Sequence, residues 1–389
     1  MQKRANRVLL NTGHGVNDVY WYILPAILPI IVKQFDLKYG TAGGILTAYL
    51  GSAAIFSFLL GKLSDNISRQ RVLGAGFLIA SASLIIAGFM GRIGPFITFL
   101  LIASIGVSSY HPAAYALITE TTEVRQGNVY AIFELSGAAG GLAMFLLYGL
   151  LLRKLDYHFV IIITSIPGLI LGFIYLCYAK QYSSKALLKN SFNETTHSNE
   201  IPIHLFILFL IVITFRSLGV ATVISFTPTY LIMEIGLNKS LASFATGIYF
   251  LGEVTLIPVI SRLIDRWGPY SVMLAVTGMI CPLIFLVSTS HQVWMLPLYF
   301  FFIGGFYASS WPAQDMIIAQ MSRKIGRGEA FGYAMAVVSV TSSLGPLFFG
   351  MAADRIGLRL SIMASSASLL ISFLVLFVLT RLLALRKRA

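Results

Sequence analysis

The sequence predicts an all-α integral membrane protein with twelve transmembrane helices in two pseudo-symmetric six-helix halves. Three observations lead there. Of 389 residues, 57% are hydrophobic and 11% charged, against about 25% charged in soluble domains, so too few charges are present to cover a soluble globule. Mean hydropathy is +0.82, and the apolar residues fall in runs that match the ~20 residues needed to cross hydrocarbon. Shifting the chain by 200 residues brings charged loops onto charged loops and pairs several identical residues. Disorder is excluded by the apolar content and collagen by the lack of a three-residue glycine period. No room is left for a large soluble domain.

The helices are expected at about 7–34, 40–61, 71–91, 95–120, 127–152 and 157–180 in the first half. In the second they are expected at about 203–234, 240–261, 270–289, 293–322, 328–352 and 359–384. Lys3, Arg4 and Arg7 precede an apolar stretch that contains His14, Asn17 and Asp18. Such polar residues do not belong in a signal-peptide core, so the stretch reads as a retained first membrane helix. The one long polar segment, 181–200, holds Lys185, Lys189, Asn193, Glu194 and His197. It is expected to link an N-terminal half, 1–180, to a C-terminal half, 201–389, from the cytoplasmic side.

The formal net charge is +13 and the pI about 9.7. On a soluble protein this would suggest nucleic acid. Here the basic residues lie between apolar runs, where they set topology, and no nucleic-acid partner is expected. One side carries 19 of the 28 Lys and Arg, among them Lys62, Arg69, Lys189, Arg262, Arg266 and Arg386. The other carries eight, among them Lys33, Arg92, Lys154, Lys239 and Arg359, and Arg216 falls inside a helix. The richer side is expected to be cytoplasmic, with both termini on it. Cys177 and Cys281 sit in apolar runs, with neither a disulfide framework nor metal-ligand spacing.

The 200-residue shift pairs Leu37 with Leu237, Tyr49 with Tyr249, Asp65 with Asp265, Ser109 with Ser309 and Pro112 with Pro312. Two homologous parallel halves are a known transporter plan.

After the second helix the chain reads Gly61-Lys62-Leu63-Ser64-Asp65-Asn66-Ile67-Ser68-Arg69-Gln70-Arg71. The second half repeats it as Leu263-Ile264-Asp265-Arg266-Trp267-Gly268, with a weaker echo at Gly350-x-x-x-Asp354-Arg355-x-Gly357. This resembles the signature loop of the major facilitator superfamily, although Asn66, Ser68, Gln70 and Ser261 depart from its pattern. A narrower set comprises His14-x-x-Asn17-Asp18, Ser109-Tyr110-His111-Pro112, Phe133-Glu134-x-x-Gly137 and Ala313-Gln314-Asp315. It looks like the fosmidomycin-resistance family of bacterial exporters, over nearly the whole chain. The resemblance implies the major facilitator fold and proton-driven efflux across a bacterial or archaeal cytoplasmic membrane. It also implies a cytoplasmic gate at Gly61, Asp65, Arg69, Asp265 and Arg266. The Gly-Pro pair that many such exporters carry in helix 5 is absent there, and Gly345-Pro346 stands in helix 11 instead.

Charge in mid-membrane is costly, so each ionisable residue there is a functional candidate. Asn11, His14, Asp18 and Tyr22 share one face of helix 1, and such a stripe does not face lipid. His14 and Asp18, one turn apart, are placed to hydrogen-bond or share a proton. Ser104, Ser108, His111 and Tyr115 form a face of helix 4, where Pro112 is expected to kink the helix. Glu134 borders a run of small residues that suits close packing. Arg216 should have an acidic partner, from Asp18, Glu134, Glu253 or Asp315, or should bind an anionic substrate. Tyr249 and Glu253 share a face of helix 8, while Trp311, Gln314 and Asp315 cluster in helix 10 with Tyr307. Rings beside a few polar groups suit amphiphilic or planar compounds.

Two transport readings follow: proton-coupled export of small amphiphilic or drug-like molecules, or symport or exchange of a small organic anion on Arg216. An integral-membrane enzyme is the reading from another class. Against it, the sequence has no metal-ligand cluster, nucleophile motif or phosphate-cradling loop. No cofactor or metal is expected. The expected partners are a small-molecule substrate, protons and the lipid bilayer, with the chain a monomer.

Overall fold

The computed structural model describes residues 2–121, 126–179, 202–322 and 327–386. The expected linker at 181–200 lies outside the described residues. The first helices are α1 (Gln2–Gln34), α2 (Tyr39–Asn66) and α3 (Arg69–Ala87), then α4 (Ile93–Ser108) and α5 (Tyr110–Thr121). These are followed by α6 (Gln126–Leu151), α7 (Tyr157–Ala179), α8 (Ile203–Met233), α9 (Lys239–Trp267) and α10 (Pro269–Thr289). The last are α11 (Leu296–Met321), preceded by a 3-10 turn at Val293–Met295, α12 (Arg327–Ile356) and α13 (Leu358–Arg386). Taken by length and apolarity they make twelve spans, α4 and α5 together forming the fourth.

One expectation is corrected. Gly61–Asn66 and Ser261–Trp267, read as loops from their charge, are the last turns of α2 and α9. The hydrophobic run ends before the helix does, because charged residues just past the hydrocarbon keep satisfying their backbone groups helically. The α9–α10 turn is made at Gly268, whose φ of 79° suits a residue without Cβ, with Pro269 opening α10. The fourth span is interrupted for one residue at Ser109, three residues before Pro112, and resumes as α5, in line with the expected effect of that proline. Pro112 has no N–H to offer the turn before it. The repeat-equivalent Pro312 interrupts nothing: α11 runs through it.

Packing divides the chain into two compact units, Met1–Ile27 with Ala48–Thr196, and Leu28–Thr47 with His197–Ala389. The end of α1 and start of α2 thus group with the second unit. There the Asp354 carboxylate at the end of α12 accepts from the Tyr39 and Gly40 backbone N–H groups, at 2.7 and 2.9 Å. This caps the otherwise unpaired first turn of α2. Two turns further into α2, the Thr47 hydroxyl donates to the Ser343 carbonyl at 2.6 Å.

In the first unit α3 packs on α7 and α4; in the second α9 packs on α11 and α8 on α13. Polar anchors recur inside. Tyr20, fully buried, donates to the Ser165 carbonyl at 2.8 Å and accepts from Gly168 N–H at 3.1 Å. Phe206, Phe209, Ile213, Ile317 and Leu376 lie in the apolar core of the second unit. Large apolar side chains such as Phe58, Phe89, Phe159 and Phe348 are exposed. That distribution suits a chain whose surrounding medium is hydrocarbon.

Candidate functional site

Each unit contains one polar centre. In the first, α1 is held to α5 and α7 by one tyrosine from each. Tyr110 OH donates to the Leu10 carbonyl, and Tyr175 OH to the Leu9 carbonyl at 2.9 Å. One turn on, the His14 ring stacks on Phe133 of α6, with centroids 4.0 Å apart. Its Nδ1 lies 2.6 Å from the Phe133 carbonyl oxygen. A carbonyl only accepts, so Nδ1 carries the hydrogen and neutral His14 presents a lone pair at Nε2. That Nε2 is 3.2 Å from His111 Nε2 and 3.6 Å from Asp18 Oδ1.

The expected pairing of His14 with Asp18 is a 3.6 Å contact, just beyond hydrogen-bond distance; the hydrogen-bond partners of His14 are Phe133 and His111. His14 is buried, whereas the Asp18 side chain keeps 18% of its surface. Gly137 on α6 makes the arrangement possible: a Cβ there would lie 2.7 Å from both Asp18 Oδ2 and His14 Nε2. One turn past His111, Tyr115 OH donates to Glu134, whose side chain is exposed. Asn17 is buried. In the amide orientation that satisfies it, Asn17 donates to the Val107 carbonyl at 3.1 Å and accepts from Trp21 Nε1 at 3.2 Å. Tyr22 lies further along α1, its ring 6.3 Å from Phe145.

The second unit is built around Arg216 on α8, which is fully buried. Its Nη1 donates to Ser310 Oγ and its Nη2 to Gln314 Oε1, both on α11. The rings of Tyr307 and Trp311 lie 5.3 and 5.2 Å from Cζ, within cation–π range. The hydrogen-bond partners shown are thus neutral side chains rather than the expected acid. Asp315, exposed on α11, is near enough to act on the guanidinium electrostatically. Two buried donors here have no hydrogen-bond partner, Arg216 Nε and Gln314 Nε2. Tyr249 is buried and Glu253 half-buried, both on α9.

At the ends of α2 and α9, Asp265 and Arg266 are exposed, and the Asp65 side chain is outside the described residues. Gly61 packs on Pro112, where an added Cβ would be 3.3 Å from the proline Cβ. Arg69 begins α3.

Sequence reading missed Ser310 and the Phe133 carbonyl. Ser310 sits beside Trp311 and Pro312 without a motif of its own, and a backbone acceptor leaves no trace in sequence. It also expected no metal-ligand cluster, yet His14, Asp18 and His111 offer ligand atoms within 4.8 Å of one another. Sequence spacing conceals the set because His14 and His111 are 97 residues apart.

Twelve apolar spans with a buried polar centre in each unit define a polytopic helical membrane transporter. The family profile described as Major Facilitator Superfamily matches residues 10–233 and 205–388. The chain belongs to the Major Facilitator Superfamily, and is a transporter rather than an enzyme. Among curated proteins it is similar to the Fosmidomycin resistance protein of Escherichia coli K12, 23% identical over 366 residues, covering 90% of this chain and 87% of that protein. It is 24% identical over 346 residues to the class B Tetracycline resistance protein of Escherichia coli, covering 85% and 83%. The match to the uncharacterized transporter YwoD of Bacillus subtilis spans 36% of this chain and 31% of that protein. Among solved structures, a bacterial homologue of the lysosomal transporter Spinster, inward-facing and occupied, aligns with TM-score 0.78 at 15% identity, covering 98% and 97% of the chains. A D-xylose–proton symporter aligns with TM-score 0.76 at 13% identity, covering 95% and 96%.

Proposed function

We propose that the chain is a proton-coupled exporter of small amphiphilic or drug-like molecules, working by alternating access as a monomer. It acts in a bacterial or archaeal cytoplasmic membrane with both termini cytoplasmic. The observation that carries the reading is the His14–His111–Asp18 cluster. A proton carrier must be charged in one state and neutral in another, and imidazole and carboxyl groups both are. A run of such groups, each within 3.6 Å of the next, gives a proton a place to rest inside the membrane. Similarity to proteins named for fosmidomycin and tetracycline resistance supports drug-like cargo. The excess of Lys and Arg on one side supports the orientation.

Proteoliposomes with an imposed proton gradient and a trapped pH-sensitive dye test it, with a panel of amphiphilic drugs as substrates. Drug-dependent proton efflux from the acidic compartment is expected from the wild type and not from Asp18→Asn. Proton flux unaffected by every drug, or by Asp18→Asn, would overturn the assignment.

A second reading rests on the second unit: symport or exchange of a small organic anion at Arg216. The unpartnered Arg216 Nε and Gln314 Nε2 favour it, since both are buried donors and a carboxylate or phosphonate supplies acceptors. Proton flux driven by small carboxylates or phosphonates, and by no amphiphilic cation, would select this reading over the first.

A further inference from the structure

We propose that His14, His111 and Asp18 form a binding site for a first-row divalent cation of the zinc class. The site goes beyond proton coupling and does not depend on it. Zinc holds imidazole nitrogen at about 2.0–2.1 Å, so two ligand atoms on a tetrahedral centre stand about 3.3 Å apart. His14 Nε2 is 3.2 Å from His111 Nε2 and 3.6 Å from Asp18 Oδ1. The three ligand atoms all lie within 4.8 Å of one another. Occupation of one centre requires Asp18 and His111 to turn toward His14 Nε2.

The outer partner of His14 is the second argument. Its Nδ1–H is held by the Phe133 carbonyl at 2.6 Å, and its ring is fixed by stacking on Phe133 at 4.0 Å. A carbonyl on the far nitrogen is the usual support of a ligating histidine, since it fixes the tautomer and aims the Nε2 lone pair. His111 presents its own lone pair once its proton is on Nδ1. Two imidazoles and one carboxylate select zinc, cobalt or nickel over magnesium and calcium, which prefer oxygen. Three protein ligands leave a fourth position for water or cargo. Asp18 supplies one negative charge, and Glu134 lies near enough to act on His14 electrostatically.

The test is cobalt titration of the tag-free full-length chain in nanodiscs, with His204 and His291 on the surface replaced by Gln. One equivalent should bind and produce the intense visible bands of tetrahedral cobalt, and zinc should displace it. His111→Gln and Asp18→Asn should each weaken binding by more than about tenfold. Both variants should keep their melting temperature in chelator, while losing the zinc-dependent rise shown by the parent. Absence of a stoichiometric spectrum, or an unchanged one in both variants, would overturn the site. Proton-driven transport assayed in chelator stands or falls separately.

Discussion

The two units place their polar centres at related positions but make them from opposite chemistry. Under the 200-residue shift His111 corresponds to Trp311, Tyr110 to Ser310 and Ala114 to Gln314. In the first unit α1 reaches the middle of its fourth span through His14 and His111. In the second, α8 reaches α11 through Arg216, whose partners Ser310, Trp311 and Gln314 lie in the same stretch of the repeat. One framework therefore holds a cluster of groups able to exchange protons and, elsewhere, a cation that keeps its charge. The helix backbone follows the same division. The helical hydrogen bonding lapses at Ser109, two residues before the histidine, and runs on through Pro312 where the arginine is gripped. The difference teaches that the repeat dictates which helices meet, and the side chains decide whether the meeting is titratable or fixed.

If that contrast is right, the second centre bears more on stability and the first on coupling. The largest loss of unfolding free energy should follow Gln314→Leu or Ser310→Ala, each about 1.5–3 kcal/mol, because a buried guanidinium loses an acceptor. Denaturant titration in mixed micelles would measure it. Losses under half a kcal/mol would mean that water or Asp315 takes over, and the centre is softer than its geometry suggests.

Gly137→Ala comes next, at about 1–3 kcal/mol, from a Cβ forced to within 2.7 Å of Asp18 and His14. It should also blunt proton-driven transport, since relief comes by pushing the cluster apart. Unchanged stability and unchanged coupling together would show that α6 and α1 separate freely. Asp354→Ala tests a cap away from both centres. Loss of the two N–H contacts at Tyr39 and Gly40 should cost about 0.5–2 kcal/mol, read by the same titration.

The smallest effect on stability, under about 1 kcal/mol, belongs to Asp18→Asn, which replaces a carboxylate by an isosteric amide beside a neutral histidine. Its effect on transport should be the reverse: gradient-driven accumulation lost, substrate exchange retained. A variant that unfolds instead would make Asp18 a structural partner of His14 and dissolve the contrast between the units.

Composition and run length alone determined the membrane class and the twelve spans, because hydrocarbon admits no unsatisfied backbone and so demands long apolar helices. Charge in mid-span also marked His14, Asp18, His111, Glu134 and Arg216, since such residues are too costly to be incidental. Helix ends were less legible. The apolar runs are expected to end near 61 and 261, whereas the helices continue through Asp65 and Asp265. Partners were legible only within one helix. Sequence put His14 near Asp18 from their spacing along one helix, where they stand 3.6 Å apart, but its hydrogen-bond partners Phe133 and His111 come from helices more than 90 residues away. It sought an acid or an anionic substrate for Arg216, and packing supplied hydrogen-bond acceptors on Ser310 and Gln314 and two rings, with Asp315 near enough to act electrostatically. A periodicity reports the face on which a side chain lies, and only the tertiary structure decides which helix covers that face.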